Sequence, residues 1–178
     1  MSLSYRLLEP GDLALYLSWI NQRAIWEVDN TEPYVRLRAS EVRPRFEGFV
    51  RAGRSYMLLL DGRAIGYLGF KATRLLSYKT GGRLKEAEFF IIIGDLKMQG
   101  KGYGGEALTW LFEHGFCGLG LDSIRARVLG NNSRAVRLYE RLGFRYEMTA
   151  GPYFTRQGRR HGVLEYRLSR EAWQGSCD

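Results

Sequence analysis

The segment Gln99-Gly100-Lys101-Gly102-Tyr103-Gly104-Gly105 puts four glycines into six residues. An apolar run, Phe89–Ile93, precedes it, and a helical pattern with Leu108, Leu111, Phe112 and Phe116 on its apolar face follows. Glycine allows backbone angles and close approaches that a side chain forbids. At a helix start, such a loop presents amide N–H groups at the positive end of the helix dipole, an arrangement that binds phosphate. Lys101 adds a positive charge there. A plain surface loop is the alternative reading, and the strand before and helix after weigh against it.

Gly100, Gly102 and Gly105 satisfy G-x-G-x-x-G, and Asp122 lies 22 residues beyond Gly100. A dinucleotide fold places its acidic residue at the carboxyl end of the second strand, whereas Asp122 comes before a strand begins. The repeated βαβ units are missing too. No G-x-x-x-x-G-K-[ST] occurs, which excludes a P-loop nucleotide site.

Along the rest of the chain, Tyr5–Leu8 reads as a strand, and Leu13, Tyr16, Leu17 and Ile20 recur at helical spacing. Arg23–Arg38 is less regular. Ser40 is a candidate N-cap for a helix to about Ala52, in which Pro44 fits only near the first turn. Tyr56–Leu60 and Ala64–Phe70 flank Asp61-Gly62, a hairpin signal. Arg74–Gly82 looks like a long turn before a strand from Leu84 to Ile93. Ser123–Leu129 is a strand, Ser133–Leu142 a helix stopped by Gly143, and Phe144–Met148 and Gly162–Leu168 are closing strands. This order predicts one α/β domain over residues 1–178 with a mixed sheet.

A chain of 178 residues can bury a core without disulfides or a structural metal. Its longest apolar runs have five residues, against the ~20 that cross a bilayer. Glu9 and Asp12 break the one N-terminal stretch that could imitate a signal peptide. The expectation is a soluble, cytoplasmic protein without a membrane partner. Cys117, Cys177, His114 and His161 form no metal-ligand spacing, so no metal is expected, and nothing marks the cysteines as a disulfide framework. Cys117, ending an apolar helix, reads as a small buried residue. With 27 basic against 19 acidic residues, the net charge of +8 favours an anionic ligand.

Gln99-x-x-Gly102-x-Gly104 resembles the Q/R-x-x-G-x-G/A signature of the GNAT superfamily of acetyl-CoA-dependent N-acetyltransferases. Its neighbours strengthen the match: the strand Glu88–Asp95 before it, and Asn132, Ala135, Leu138, Tyr139, Gly143 and Phe144 after it, similar to the family's N-x-x-A-x-x-L-Y-x-x-x-G-F helix. The resemblance covers nearly the whole chain, and Tyr5–Asn21 looks like the branch containing ribosomal-protein N-terminal acetyltransferases. It implies a mostly antiparallel mixed sheet with a splayed central strand pair, flanking helices, and acetyl-CoA as co-substrate. Backbone groups of Ile91, Ile92, Ile93 and Gly94 are then expected on the pantetheine, and amides from Gly100, Lys101, Gly102, Tyr103, Gly104 and Gly105 on the pyrophosphate.

By the same resemblance, Tyr139 gives a proton to the departing thiolate, which a tyrosine can do at neutral pH. Its plain alternative is a core aromatic. Asn132 either caps its helix or holds the cofactor. Glu88 sits where the branch often carries a glutamate, and shares a strand face with Phe90, Ile92 and its competitor Glu86. Catalysis can also proceed without a strong base, because holding the reactants together is itself a large effect.

Trp26, Glu27, Asp29 and Glu32 form an acidic stretch without Lys or Arg in a basic chain. In the resembling family the connection between the first two helices walls the acceptor side, so these residues are expected to steer a cationic amine, a peptide N-terminus first and then a small amine, an aminoglycoside or polyamine. Two rivals stand beside the enzyme. Arg36–Arg54 and Arg156–Arg170 are basic enough for a nucleic-acid module, although no recognition helix, RNP-type motif or zinc finger accompanies them and a solvated basic face is the plainer account. A non-catalytic acyl-CoA sensor would share the cofactor motifs. The sequence leaves the acceptor and the oligomeric state, a homodimer included, open.

Overall fold

The computed structural model of the chain describes residues 2–71, 74–77 and 83–177. They fall into two compact units, Met1–Lys71 with Phe90–Leu108, and Ala72–Phe89 with Thr109–Asp178. Among the described residues, no helix is long and apolar enough to cross a membrane.

In the first unit, β1 (Leu3–Leu7), β2 (Ser55–Leu60), β3 (Arg63–Phe70) and the end of β5 (Arg83–Ile93) follow one another in the sheet. β1–β2 and β2–β3 are antiparallel, and Asp61 and Gly62 turn the hairpin with φ of 48° and 79°, as their sequence predicts. Helices α1 (Leu13–Ile20), α2 (Arg23–Asp29) and α3 (Ala39–Ala52) complete this unit. Tyr16, Trp19, Ile25, Val42, Phe46, Met57 and Tyr67 form its core, with Phe90 and Ile92 packed against them.

Two helix boundaries differ from expectation. α3 starts two residues before a Ser40 cap would allow, because the Arg38 N–H donates to Glu41 Oε2 at 2.7 Å and satisfies the helix start from inside. α2 replaces the irregular stretch expected from Arg23 onward. A seven-residue helix is marginal by itself, and burial of Ile25 and Trp26 supplies what propensity does not.

In the second unit the order is β5, β6 (Ser123–Leu129), β8 (Arg159–Ser169) and β7 (Arg145–Arg156). The parallel register of β5 with β6 covers Glu86↔Ser123 to Glu88↔Arg125, while β6 runs on to Leu129. Arg74–Ser77, expected within a long turn, is a strand, β4, antiparallel to β5; residues 78–82 of that expected turn lie outside the described ones. The β7–β8 hairpin is much longer than the two short strands expected. Gly151-Pro152 interrupts the strand pattern in sequence, and the ladder absorbs it as a register irregularity between Ala150 and Phe154.

Helix α4 (Tyr103–Glu113) starts in the first unit and ends in the second, and α5 (Ser133–Arg141) belongs to the second. Gly143, at φ 89°, stops α5 as predicted. After α4 the chain widens, with Leu119 N–H donating to His114 O at 3.0 Å. This turns Cys117 outward: it is exposed, not buried, and it forms a disulfide with Cys177. Both are corrections to the sequence reading. Trp173 against Phe116 (5.0 Å) and Arg170 on the Leu121 carbonyl (2.8 Å) hold the C-terminal segment beside that bond.

Two glycines predict opposite outcomes. A Cβ on Gly66 would lie 2.2 Å from the Ile92 carbonyl oxygen, so Gly66→Ala should lower unfolding stability by ~1–3 kcal/mol. Gly48 lies in α3 with nothing within 4 Å of its Cβ position, so Gly48→Ala should raise it by ~0.5–1 kcal/mol. Urea titration of both variants measures the signs.

Candidate active site

Within the first unit, the turn after β5 is fastened at three points. The Trp19 indole covers Gly94 so closely that a Cβ there would stand 2.1 Å from the ring. Gln22 Nε2 donates to the Gly94 carbonyl at 2.9 Å, and Gln99 Nε2 donates to the Ile93 carbonyl at 2.8 Å. The expected signature glutamine thus closes the loop onto the strand it came from. Asp95 adds a fourth hold, its N–H on Ile65 O (3.0 Å) and its carboxylate on Arg63 (2.7 Å).

Gly100 and Gly102 adopt φ of 77° and 93°, which L side chains rarely take. Nothing lies within 4 Å of either Cβ position, so here conformation, not crowding, demands glycine. The Gly102 carbonyl accepts from the amides of Gly105 (2.9 Å) and Glu106 (3.3 Å), which starts α4 at Tyr103. An exposed Lys101 and a helix start therefore border an open backbone cradle, a fit for a phosphate group. Gly104 stands in the first turn of α4. Ile91 and Ile92 are half-buried on β5.

The acidic stretch is helical, and residues two apart on a helix do not face each other, so Glu27 and Asp29 occupy different faces of α2. Glu27 pairs with Arg23 at 2.9 Å. Trp26 is buried, its ring edge-on to Tyr34 and its Nε1 donating to the Glu32 carbonyl at 2.9 Å. It anchors the chain beyond α2 instead of offering a ring face. Glu32 is exposed. Asp29 is open to solvent on one side, while the protein atoms packed around the other raise its carboxyl pKa by burial, with Arg45 and Lys71 pulling it back down. Its charge also reaches the Tyr16 and Tyr67 hydroxyls, both pushed up mainly by burial. Sequence patterning could not reveal this trio, which comes from three separate elements.

In the second unit, Tyr139 is buried, edge-to-face against Phe89 at 5.2 Å and beside Phe144 at 5.9 Å. Successive residues of a strand face opposite sides, so Glu88, half-buried, points away from the face on which Tyr139 meets Phe89. The two residues expected to act as base and acid are thus on opposite faces of β5. Asn132 Oδ1 accepts from Ala135 N–H at 3.2 Å, which assigns it the cap of α5. Glu86 is buried among polar and charged partners that hydrogen-bond its Oε2 but not its Oε1. Ser123 Oγ donates to it at 2.9 Å, Arg167 lies at 3.3 Å and Arg125 at 3.8 Å, in a network continued by Glu165 and Glu147. Burial inside this network sets Glu86 apart from the half-buried Glu88. Among the described residues, no group of three or more His, Cys, Asp or Glu is placed to hold a metal ion.

Residues 2–145 match the acetyltransferase (GNAT) domain model. The fold is that of the spermidine N-acetyltransferase from Vibrio cholerae in complex with CoA and spermine, 26% identical, with a TM-score of 0.78 over 97% of this chain and 98% of that one. A ribosomal-protein-alanine N-acetyltransferase from Brucella melitensis shares the fold at 17% identity, TM-score 0.72, over 93% of this chain and 99% of that one. In sequence, 100 residues are 35% identical to mycothiol acetyltransferase of Mycobacteroides abscessus; the match takes in 56% of this chain and 32% of that relative's length. The chain belongs to the GNAT acetyltransferase family. Its likeness to the ribosomal-protein branch is a loose one.

The raised Asp29 pKa has a stability signature. A folded value above the ordinary 3.8 means that ionisation opposes folding. That opposition is complete above the folded value and absent below the unfolded one. Asp29→Asn should therefore be more stable than the parent at pH 7, with the difference closing as pH falls through the acidic range. Denaturant titrations at pH 7 and pH 3.5 compare the two.

Proposed function

We propose that this protein transfers an acetyl group from acetyl-CoA to a primary amine by direct attack in a ternary complex. The carrying observation is the Gln99–Gly105 turn: two glycines in left-handed conformations, an open cradle and a helix start, fastened to β5 by Gln99. Acetyl-CoA supplies the activated acyl thioester. Amides of Gly100–Gly105 receive its pyrophosphate, and Lys101 adds charge. Ile91 and Ile92 offer strand backbone to the pantetheine amides in the manner of an added strand. The Ile93 and Gly94 carbonyls already accept from Gln99 and Gln22, so they are secondary partners there.

In the transfer, the amine nitrogen bonds to the acyl carbon, the carbon–sulfur bond breaks, and the sulfur leaves with the electron pair. Tyr139 donates its phenolic proton to that sulfur. A protonated amine first gives up its ammonium proton, through water, to Glu88 on the other face of β5, which frees the lone pair for attack, and the nitrogen sheds a second proton to solvent once the amide bond has formed. Most of the acceleration comes from holding the reactants together, so loss of Glu88 costs less than loss of Tyr139.

The acceptor is a cationic amine. Asp29 is the carboxylate that draws it, and the likeness to a spermidine N-acetyltransferase supports a small polyamine. Glu27 and Glu32 contribute a general field.

Three measurements bear on this reading. Gly102→Val should weaken acetyl-CoA binding by calorimetry by at least about tenfold, since valine tolerates neither the φ nor the close approach; unchanged affinity would reject the placement. Tyr139→Phe should keep cofactor affinity and lower turnover by ~10²–10⁴-fold, read as released thiol where chemistry limits the rate; equal turnover would leave Tyr139 a packing residue. Asp29→Asn should raise the KM for spermidine more at low salt than at moderate salt.

A further inference from the structure

Beyond the acetyl-transfer reading, the far end of the β7–β8 hairpin is built unlike the other basic stretch of the chain. β8 is registered with β6 from Ser169 to Val163, and Arg159–His161 pair with β7 alone, opposite Phe154–Arg156. Gln157 and Gly158, with φ of 50° and 72°, turn the tip. The hairpin thus extends as a two-stranded arm beyond its sheet neighbour. From Met148 to Leu164 it contains Arg156, Arg159, Arg160 and His161 and no Asp or Glu.

The two basic stretches of the sequence separate at this point. On α3, Arg38 pairs with Glu41, and Arg43 and Arg51 pair with Glu47. At the base of β8, Arg167 pairs with Glu86 and Glu147, and Arg170 bonds to backbone carbonyls. On α3 the positive charges are thus balanced by carboxylates on the same helix, and Arg167 and Arg170 are held within the fold. Arg159 and Arg160, at the arm's tip, are exposed. Aromatic rings alternate with the charges: Tyr153 is 54% exposed with the Arg160 guanidinium 4.8 Å from its centroid, Arg156 lies over Phe154 at 5.5 Å, and His161 stacks on Phe154.

We propose that this arm docks single-stranded nucleic acid. Guanidinium groups on a protruding ribbon neutralise backbone phosphates, and an exposed tyrosine flanked by arginine gives a base a face to stack on. An acidic polypeptide would use the charges but not the ring, which is why the nucleic acid is favoured.

The test uses the full chain and a 5′-fluorescent 20-nucleotide oligouridine, with anisotropy read at several salt concentrations. Binding should weaken with salt, and Arg159→Ala/Arg160→Ala should lower affinity at least about tenfold and reduce the log–log salt slope by about 1.4, or about 0.7 for each phosphate no longer neutralised. Tyr153→Ala should lower affinity without changing the slope, the mark of stacking. Arg43→Ala/Arg51→Ala, on α3, should bind as the parent does. Circular dichroism and acetyl-CoA affinity check that each variant is folded. No binding by the parent, equal losses in the arm and α3 variants, a Tyr153→Ala variant that binds like the parent, or polyglutamate binding as tight as oligouridine through the same residues would each overturn the proposal.

Discussion

The contact on which the site rests is the Trp19 indole laid against Gly94. No other residue fits that spot, because a Cβ would stand 2.1 Å from the ring. The same turn of chain gives its Gly94 carbonyl to Gln22 and its Ile93 carbonyl to Gln99. Helix α1, the end of β5 and the glycine loop are thereby locked together before any ligand arrives. A loop with two left-handed glycines is expensive to order, since glycine loses more backbone freedom than any other residue. Fastening its start places part of that cost in folding and leaves less of it for binding.

A second constraint lies on β5 itself. The strand spends its N-terminal half in a parallel pairing with β6 that covers three residues, and there Glu86 is consumed by Ser123, Arg125 and Arg167. Removing one partner from such a buried group leaves uncompensated charge, at a cost of ~3–5 kcal/mol. Glu88, two residues on, is half-buried and so keeps access to water. Two carboxylates on one strand face thus sit in different surroundings, because burial commits the first to the arginines of the fold.

Much of this was legible in the sequence where a residue acts through its own backbone. Asp61-Gly62, Gly100, Gly102 and Gly143 all take the positive φ that their positions demanded. The apolar spacing of α4 located the buried Leu108, Leu111, Phe112 and Phe116. What depends on a distant partner was not legible. Helix α2 owes its existence to the burial of Ile25 and Trp26, the strand pattern of β7 is masked by Gly151-Pro152, and the Cys117–Cys177 bond joins residues 60 apart. The Gln22 and Trp19 contacts to Gly94 span more than seventy positions and carry no motif. The acidic stretch read as one patch resolves into a paired Glu27, an exposed Glu32, and an Asp29 set among Arg45, Lys71 and two tyrosines, because helical geometry separates neighbours that a linear reading joins.

The central claim is that the fastened glycine turn receives the phosphate end of acetyl-CoA. Amide chemical-shift mapping during an acetyl-CoA titration tests it residue by residue. The largest saturable shifts are expected at the amides of Gly100–Gly105, with a second group at Ile91 and Ile92. Saturable binding whose shifts leave Gly100–Gly105 unmoved would contradict it.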